Sequence, residues 1–185
     1  MILYTVGHSN RTFLDYIAIL KIHGIEAIAD VRGGKAGSRA FPHFNKESLQ
    51  ENLPQKNIKY RHFPELGGRR GKCQEANPTL NEEWRLPAFK NYADYAYYSD
   101  DFRNGIDELI QYGHEQKTAF MCSEAVPWRC HRSIITDWLV MTKGIVVVHI
   151  TGMKQTLIGK PHSHAQLYDN SVIYPKSNVM EFFDV

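Results

Sequence analysis

Eleven residues gather most of the reactive side chains of this chain: Cys122-Ser123-Glu124-Ala125-Val126-Pro127-Trp128-Arg129-Cys130-His131-Arg132, a C-x-E-x5-C-H-R run. Two thiols, a carboxylate, an imidazole and two guanidiniums in so short a span suit more than one chemistry. A thiol beside Arg129, His131 and Arg132 is expected to lose its proton more readily than a free cysteine, which suits Cys122 to nucleophilic attack. The competing reading is a buried cysteine packed as a small apolar group. Glu124 fits general acid or base work, or a salt bridge that fixes the loop, and His131 is placed to share the proton transfer. Arg132 reads as an anion ligand or a brace for the loop. Cys122, Cys130 and His131 are also three potential zinc or iron ligands. Their spacing is not that of a zinc finger and no second cysteine pair exists, so no residue is assigned to a metal.

An anion site of this kind needs a strand before it and a helix after it, so that the loop faces a helix N-terminus. The flanking residues fit. Thr118-Ala119-Phe120-Met121 is apolar and β-prone, and Ser133 to Val140 carries a helical pattern. The same alternation runs through the chain. Ile2–Val6 reads as a strand, and Phe13, Leu14, Ile17, Ala18 and Leu20 as a helix that Gly24 stops. Further strands are expected at 25–31, 58–63, 117–122 and 145–150. Helices are expected from about Lys46, limited by Pro54, and at 87–98, 100–114 and 131–143, with Ser99 as an N-cap. Residues 64–86 show no period, and the tail from 151 is hard to read.

Strands alternating with helices predict a single α/β domain, a mainly parallel sheet flanked by helices in a Rossmann-like three-layer arrangement. Residues 1–150 form the α/β domain, with 151–185 as a C-terminal extension of it. In such sheets ligands bind beyond the carboxyl ends of the strands. Just past those ends lie His8 and Ser9, Arg32, Glu65 with Arg69 and Arg70, and then Cys122, Glu124 and Arg129. Gly7 permits a close backbone approach before the hydroxyl and amide of Ser9 and Asn10, which either cradle a phosphate or cap the next helix. Lys35, Arg39, Arg69, Arg70 and Lys72 share their loops with Phe41, Phe44 and Trp84. Basic residues among aromatics suit nucleotides or single-stranded nucleic acid; solvated loop charge is the competing reading. His162 and His164 have ligand-like spacing but no supporting partner.

Composition adds bounds. At 185 residues, 43% hydrophobic and with a net charge of +2, the chain can bury one sizeable core, and any basic character must be local. The N-terminus does not read as a signal peptide, and no apolar run approaches the roughly 20 residues of a membrane span. Three cysteines, an odd number, suggest free thiols and a reducing, cytoplasmic setting.

Five motifs together resemble one family, domain-of-unknown-function family 488. They are Thr5-Val6-Gly7-His8-Ser9-Asn10, Asp30-Val31-Arg32, Pro64-Glu65-Leu66-Gly67-Gly68, Phe89 with Tyr92-Ala93, and Cys122-x-Glu124-x-x-Pro127-x-x-Cys130-His131-Arg132. They cover most of residues 3–150 in the same order; Cys73 lies outside them and the tail matches less clearly. The resemblance implies a common site and no particular activity. The order strand, Cys, loop, Arg, helix is also similar to phosphatase and rhodanese loops. The phosphatase spacing C-x5-R, however, would need arginine where Trp128 stands.

The resulting expectation is a hydrolase or transferase acting on an anionic substrate, a nucleotide or nucleic acid. Cys122, Glu124 and His131 would be catalytic. Gly7, His8, Ser9, Arg32, Glu65, Arg69, Arg129 and Arg132 would bind substrate. The alternatives are a metal or redox protein using Cys122, Cys130 and His131, and a non-catalytic nucleotide or nucleic-acid binding module. Cofactor and oligomeric state are left open, and no membrane partner is expected.

Overall fold

The computed structural model describes residues 1–34 and 36–176; Lys35, counted above among the loop cations, and 177–185 of the C-terminal extension lie outside the described residues. The first strand, β1 (Ile2–Gly7), alternates its side chains: Leu3 points into one apolar cluster and Tyr4 and Val6 into another. That alternation puts the two clusters on opposite faces of one sheet. The sheet has six strands in the order β3-β2-β4-β1-β5-β6. Here β2 is Ala27–Asp30, β3 Lys59–His62, β4 Thr118–Cys122, β5 Val146–Ile150 and β6 Thr156–Ile158. The first five are mutually parallel and β6 joins β5 antiparallel at the edge.

Each face is covered by helices. On one face α1 (Phe13–Ile22) and α2 (Lys46–Asn52) bury Tyr16, Ile17, Leu20 and Leu49 against Val6, Ile28, Ala119 and Met121. On the other, α3 (Pro87–Tyr98), α4 (Asp100–Glu115) and α5 (Arg132–Lys143) bury Tyr92, Phe102, Leu109, Ile134 and Trp138 against Leu3, Ala29, Phe120 and Val147. The chain is thus a single three-layer α/β domain. Among the described residues no helix is long and apolar enough to cross a membrane.

Topology places the site. After β1 the chain leaves to α1 on one face, and after β4 it leaves to α5 on the other. Yet β1 and β4 are neighbours, with Gly7 paired to Cys122 at their carboxyl ends. Two adjacent strands whose connections depart to opposite faces leave a crevice between them, the switch point at which open α/β sheets bind ligands.

The expected elements are found, with ends moved by a residue or two. The strand expected at 25–31 pairs only over Ala27–Asp30 and that expected at 58–63 over Lys59–His62. Pro54 ends α2 as expected and starts a 3-10 turn. The unperiodic stretch 64–86 has one 3-10 turn at Pro64–Leu66 and otherwise no helix or strand. Among its described residues the tail holds three short strands: β6, and a hairpin of β7 (Gln166–Tyr168) and β8 (Ser171–Ile173). Val172 and Tyr174 of the tail join the core under α3 and α5. Three residues per strand are too few to show a period.

Ser99 caps α4 as its position predicts, its hydroxyl accepting from the Phe102 amide. Ser99→Ala is expected to cost about 1 kcal/mol, read as a lower urea midpoint at unchanged slope. An unchanged midpoint would mean that water satisfies that amide as well.

Candidate functional site

The crevice between β1 and β4 opens into a cavity of about 670 Å³. Its floor comes from the ends of those strands and the start of α5. Cys122 is the last residue of β4, and its carbonyl accepts from the His8 amide, so the parallel pairing carries one step past Gly7. The loop then turns through a 3-10 turn, Pro127–Arg129, which returns Cys130 and His131 to the strand end just before α5 begins. Gly7 permits this closeness: a Cβ there would lie 1.9 Å from the Glu124 carbonyl oxygen.

The three reactive groups meet. His131 Nδ1 stands 3.5 Å from Cys130 Sγ and 3.9 Å from Cys122 Sγ. The other ring nitrogen, Nε2, is 2.8 Å from the Val31 carbonyl. A carbonyl only accepts, so Nε2 carries a proton and Nδ1 is the atom turned to both sulfurs. The edge of Tyr92 and the backbone of Gly68 hold the ring; a Cβ on Gly68 would stand 2.4 Å from Nδ1.

Beneath this floor lies Arg132, only 1% exposed. Its Nε donates to Cys130 Sγ at 3.4 Å, its Nη1 to Thr5 Oγ1 at 3.2 Å, and its Nη2 to the Glu124 carbonyl. Among the described residues it has no carboxylate partner. Thr5 Oγ1 is also hydrogen-bonded to His149 Nδ1, 2.9 Å away. Burial and then the Arg132 charge push the His149 pKa down to about 4, so that ring is neutral at pH 7. A buried guanidinium keeps its charge and calls for an anion nearby. The ionisable group in contact is the Cys130 thiol, with Cys122 within reach of the same charge.

The thiols respond in opposite directions. The Cys130 thiol beside it holds the Cys122 thiol well below its ordinary range; burial opposes this, while His131, by hydrogen bond and charge, and Arg132 reinforce it. Cys130 is pushed well above its ordinary range, first by Cys122 and then by burial. The two thiols titrate as a pair, and Cys122 is the one that loses its proton more readily.

The remaining expected site residues divide three ways. Ser9, Arg69, Glu124 and Arg129 line the cavity, and Arg69 and Arg129 are exposed at its mouth with no partner among the described residues. His8 and Arg32 also line it but are held by others. Arg32 forms a bidentate pair with buried Asp30 at 2.8 and 2.6 Å, Tyr60 donates to the same carboxylate, and Arg32 Nη1 is 3.4 Å from His8 Nε2. His8 stacks on Phe44 and is neutral, its pKa lowered to about 4 chiefly by burial. Arg32 is therefore part of a neutral pair on the cavity wall. Gly7, Glu65 and Arg132 do not face the cavity: Gly7 and Arg132 lie behind the loop, and the Glu65 carbonyl accepts from Arg70 and Tyr95. Glu124 is exposed, its carboxylate accepting from the Val126 amide at 3.3 Å.

Phe41, expected among the loop aromatics, lines the cavity; sequence reasoning did not single out Phe89 or Tyr92 as its walls, nor the Val31 carbonyl that orients His131. Phe89 and Tyr92, three apart on α3, carried a signal in the shared motif. A backbone carbonyl carries none.

A family model described as Domain of unknown function DUF488 matches residues 12–139 of the chain. No curated protein and no solved structure matches it.

Proposed function

This chain belongs to the DUF488 family, and from the geometry of its site we propose that it is a thiol-dependent hydrolase or transferase of anionic, nucleotide-type substrates. The observation that carries the proposal is Cys122 Sγ on the cavity floor, facing His131 Nδ1 at 3.9 Å while the far nitrogen of that ring is tied to a carbonyl. Nucleophile, base and orienting group in that order are the parts of a covalent mechanism.

In this mechanism the Cys122 thiolate attacks an electrophilic centre of the substrate, and the bond to the leaving group breaks. His131, having taken the thiol proton at Nδ1, gives it to the leaving group. Water or an acceptor, giving its proton to the now neutral His131, then cleaves the bond to sulfur and releases the thiolate. Arg132 stays below, its charge balancing the thiolate between turnovers. The anionic part of the substrate binds Arg69 and Arg129 at the mouth, and Phe41 and Phe89 offer aromatic faces to a base. Glu124 stays at the rim and braces the loop through its carbonyl. The neutral Asp30–Arg32 pair shapes the wall and adds little net field.

Reagent charge tests this reading. With reductant and chelator present at pH 7, iodoacetate should label Cys122 at least about 10-fold faster than Cys73, since focused positive charge raises anion encounter rates about 10-fold or more. The double variant Arg69→Gln/Arg129→Gln should remove most of that advantage and leave the iodoacetamide rate unchanged. Labelling of Cys122 only after unfolding, or with no dependence on reagent charge, would sink the proposal.

A further inference from the structure

We propose that Cys122, Cys130 and His131 also form a site for a thiophilic divalent cation of the zinc class, held by three protein atoms with its fourth position open to the cavity. Their ligand atoms lie within 4.8 Å of one another, and no other group of three such residues among the described ones does so. The spacing is close to what a tetrahedral ion requires. Sulfur at about 2.3 Å and nitrogen at about 2.0 Å from zinc stand about 3.5 Å apart. Here the two sulfur–nitrogen distances are 3.5 and 3.9 Å. The two sulfurs need about 3.8 Å between them on such an ion and lie within 4.8 Å here, so binding draws the two cysteine side chains together.

The surroundings fit a ligand set as well. Metal-bound imidazoles donate their other N–H to a carbonyl or carboxylate, which fixes the tautomer and aims the free nitrogen. Val31 does this for His131. Thiolate ligands are steadied by N–H donors, and Arg132 Nε is one for Cys130. Three ligands and an open fourth side are the pattern of accessible rather than closed metal sites. Cys122, Cys130 and His131 all line the cavity, as do Ser123 and Ala125 beside them in the loop.

The inference stands apart from the nucleophile reading. An ion on Cys122 occupies the sulfur lone pair that would attack substrate, so the loaded protein is a silenced one. Thiol chemistry and metal binding are two states of one set of atoms.

Cobalt titration of reduced, chelator-treated protein tests it. One equivalent of Co²⁺ per chain should give the visible bands of tetrahedral cobalt with a sulfur-to-metal charge-transfer band, and Zn²⁺ should displace it. Cys130→Ser should weaken binding more than about 100-fold, beyond the about 10- to 100-fold that loss of an outer-shell partner costs. Cys73→Ser should change nothing. In the unaltered protein, one equivalent of Zn²⁺ should protect Cys122 and Cys130, but not Cys73, from alkylation. That assay decides the matter if Cys130→Ser fails to fold. Absence of the charge-transfer band, or alkylation of Cys122 and Cys130 unslowed by Zn²⁺, overturns the proposal. Iodoacetate labelling of Cys122 in chelator is read separately. Its loss with cobalt binding intact removes the nucleophile reading alone, and its persistence without cobalt binding removes the metal site alone.

Discussion

Gly7→Ala is expected to be the most damaging single methyl group that can be added near the site. The new Cβ would meet the Glu124 carbonyl oxygen at 1.9 Å, its carbon at 2.7 Å and Ala125 Cα at 2.8 Å. All three are backbone atoms, so no side chain can swing aside. Strand β1 would have to part from the loop after β4, or the loop would have to lift. Either movement pulls the Glu124 carbonyl off Arg132 and shifts Cys122, which is paired with Gly7 in the sheet. Ordinary overpacking costs about 1–3 kcal/mol. A clash confined to backbone should exceed that range and reach the exceptional losses above about 4 kcal/mol. Denaturant unfolding measures the loss, and iodoacetate labelling of Cys122 in the folded fraction measures the shift of the site. Gly71→Ala is the matched control, since a Cβ there meets nothing within 4 Å. Its effect should stay within about 0.5 kcal/mol. If Gly7→Ala were as mild as that control, the close approach would not be what holds the loop.

That contact shows what the sequence could and could not convey. The strand, loop and helix around Cys122 were legible because apolar runs and helical spacing bracket the motif. Convergence on the carboxyl edge followed from the alternation of elements, and His8, Ser9, Arg32, Arg69, Glu124 and Arg129 do reach one cavity. What stayed hidden was which face of each residue is used. Arg32 and Arg132 carried the same expectation in sequence, that of anion ligands. One closes onto Asp30 two residues back and is neutralised; the other goes under the floor without a carboxylate. Pairing of that kind depends on neighbours far apart in the chain, such as Thr5 and Arg132, and spacing does not encode it. Gly7 was read as a close approach, toward a ligand. The approach is made, toward the chain's own loop. The tail failed for another reason: its strands are three residues long, and Asp137, which ties the tail to α5, looks in sequence like an ordinary helix acid.

Asp137 carries the second large expectation. It is 1% exposed on the inner face of α5, where the Tyr174 hydroxyl donates to Oδ2 at 2.8 Å and the His162 amide to Oδ1 at 3.2 Å. No cation pairs with it among the described residues. Burial raises its pKa from 3.8 to about 7, against the pull of those two hydrogen bonds. The neighbouring groups do not reverse this: Tyr174 stays neutral with a pKa well above its ordinary value, and the His162 pKa is lowered from 6.5 by burial and by His164, with Glu83 acting the other way.

Between pH 3.8 and about 7 the native state keeps a proton that the unfolded chain has released, so stability falls as pH rises through that window. At about 1.4 kcal/mol per pH unit the loss is about 4 kcal/mol, complete above pH 7. His8 and His149 act in the opposite sense. Their native pKa values near 4 lie below the ordinary 6.5, so they cost stability as pH falls from 6.5 to 4. In the unaltered protein the two trends oppose each other over that range. Asp137→Asn removes one of them. An amide can accept from the His162 amide and donate to Tyr174, so the contacts survive without the charge. The variant should be more stable than the parent by a few kcal/mol at pH 8 and nearly equal to it at pH 4. Its own stability should fall more steeply on acidification. Urea unfolding across that range reads the difference directly. A variant weaker than the parent by the same amount at both pH values would mean that Asp137 is ionised and well held in the native fold, and that the tail is fastened by a charge after all.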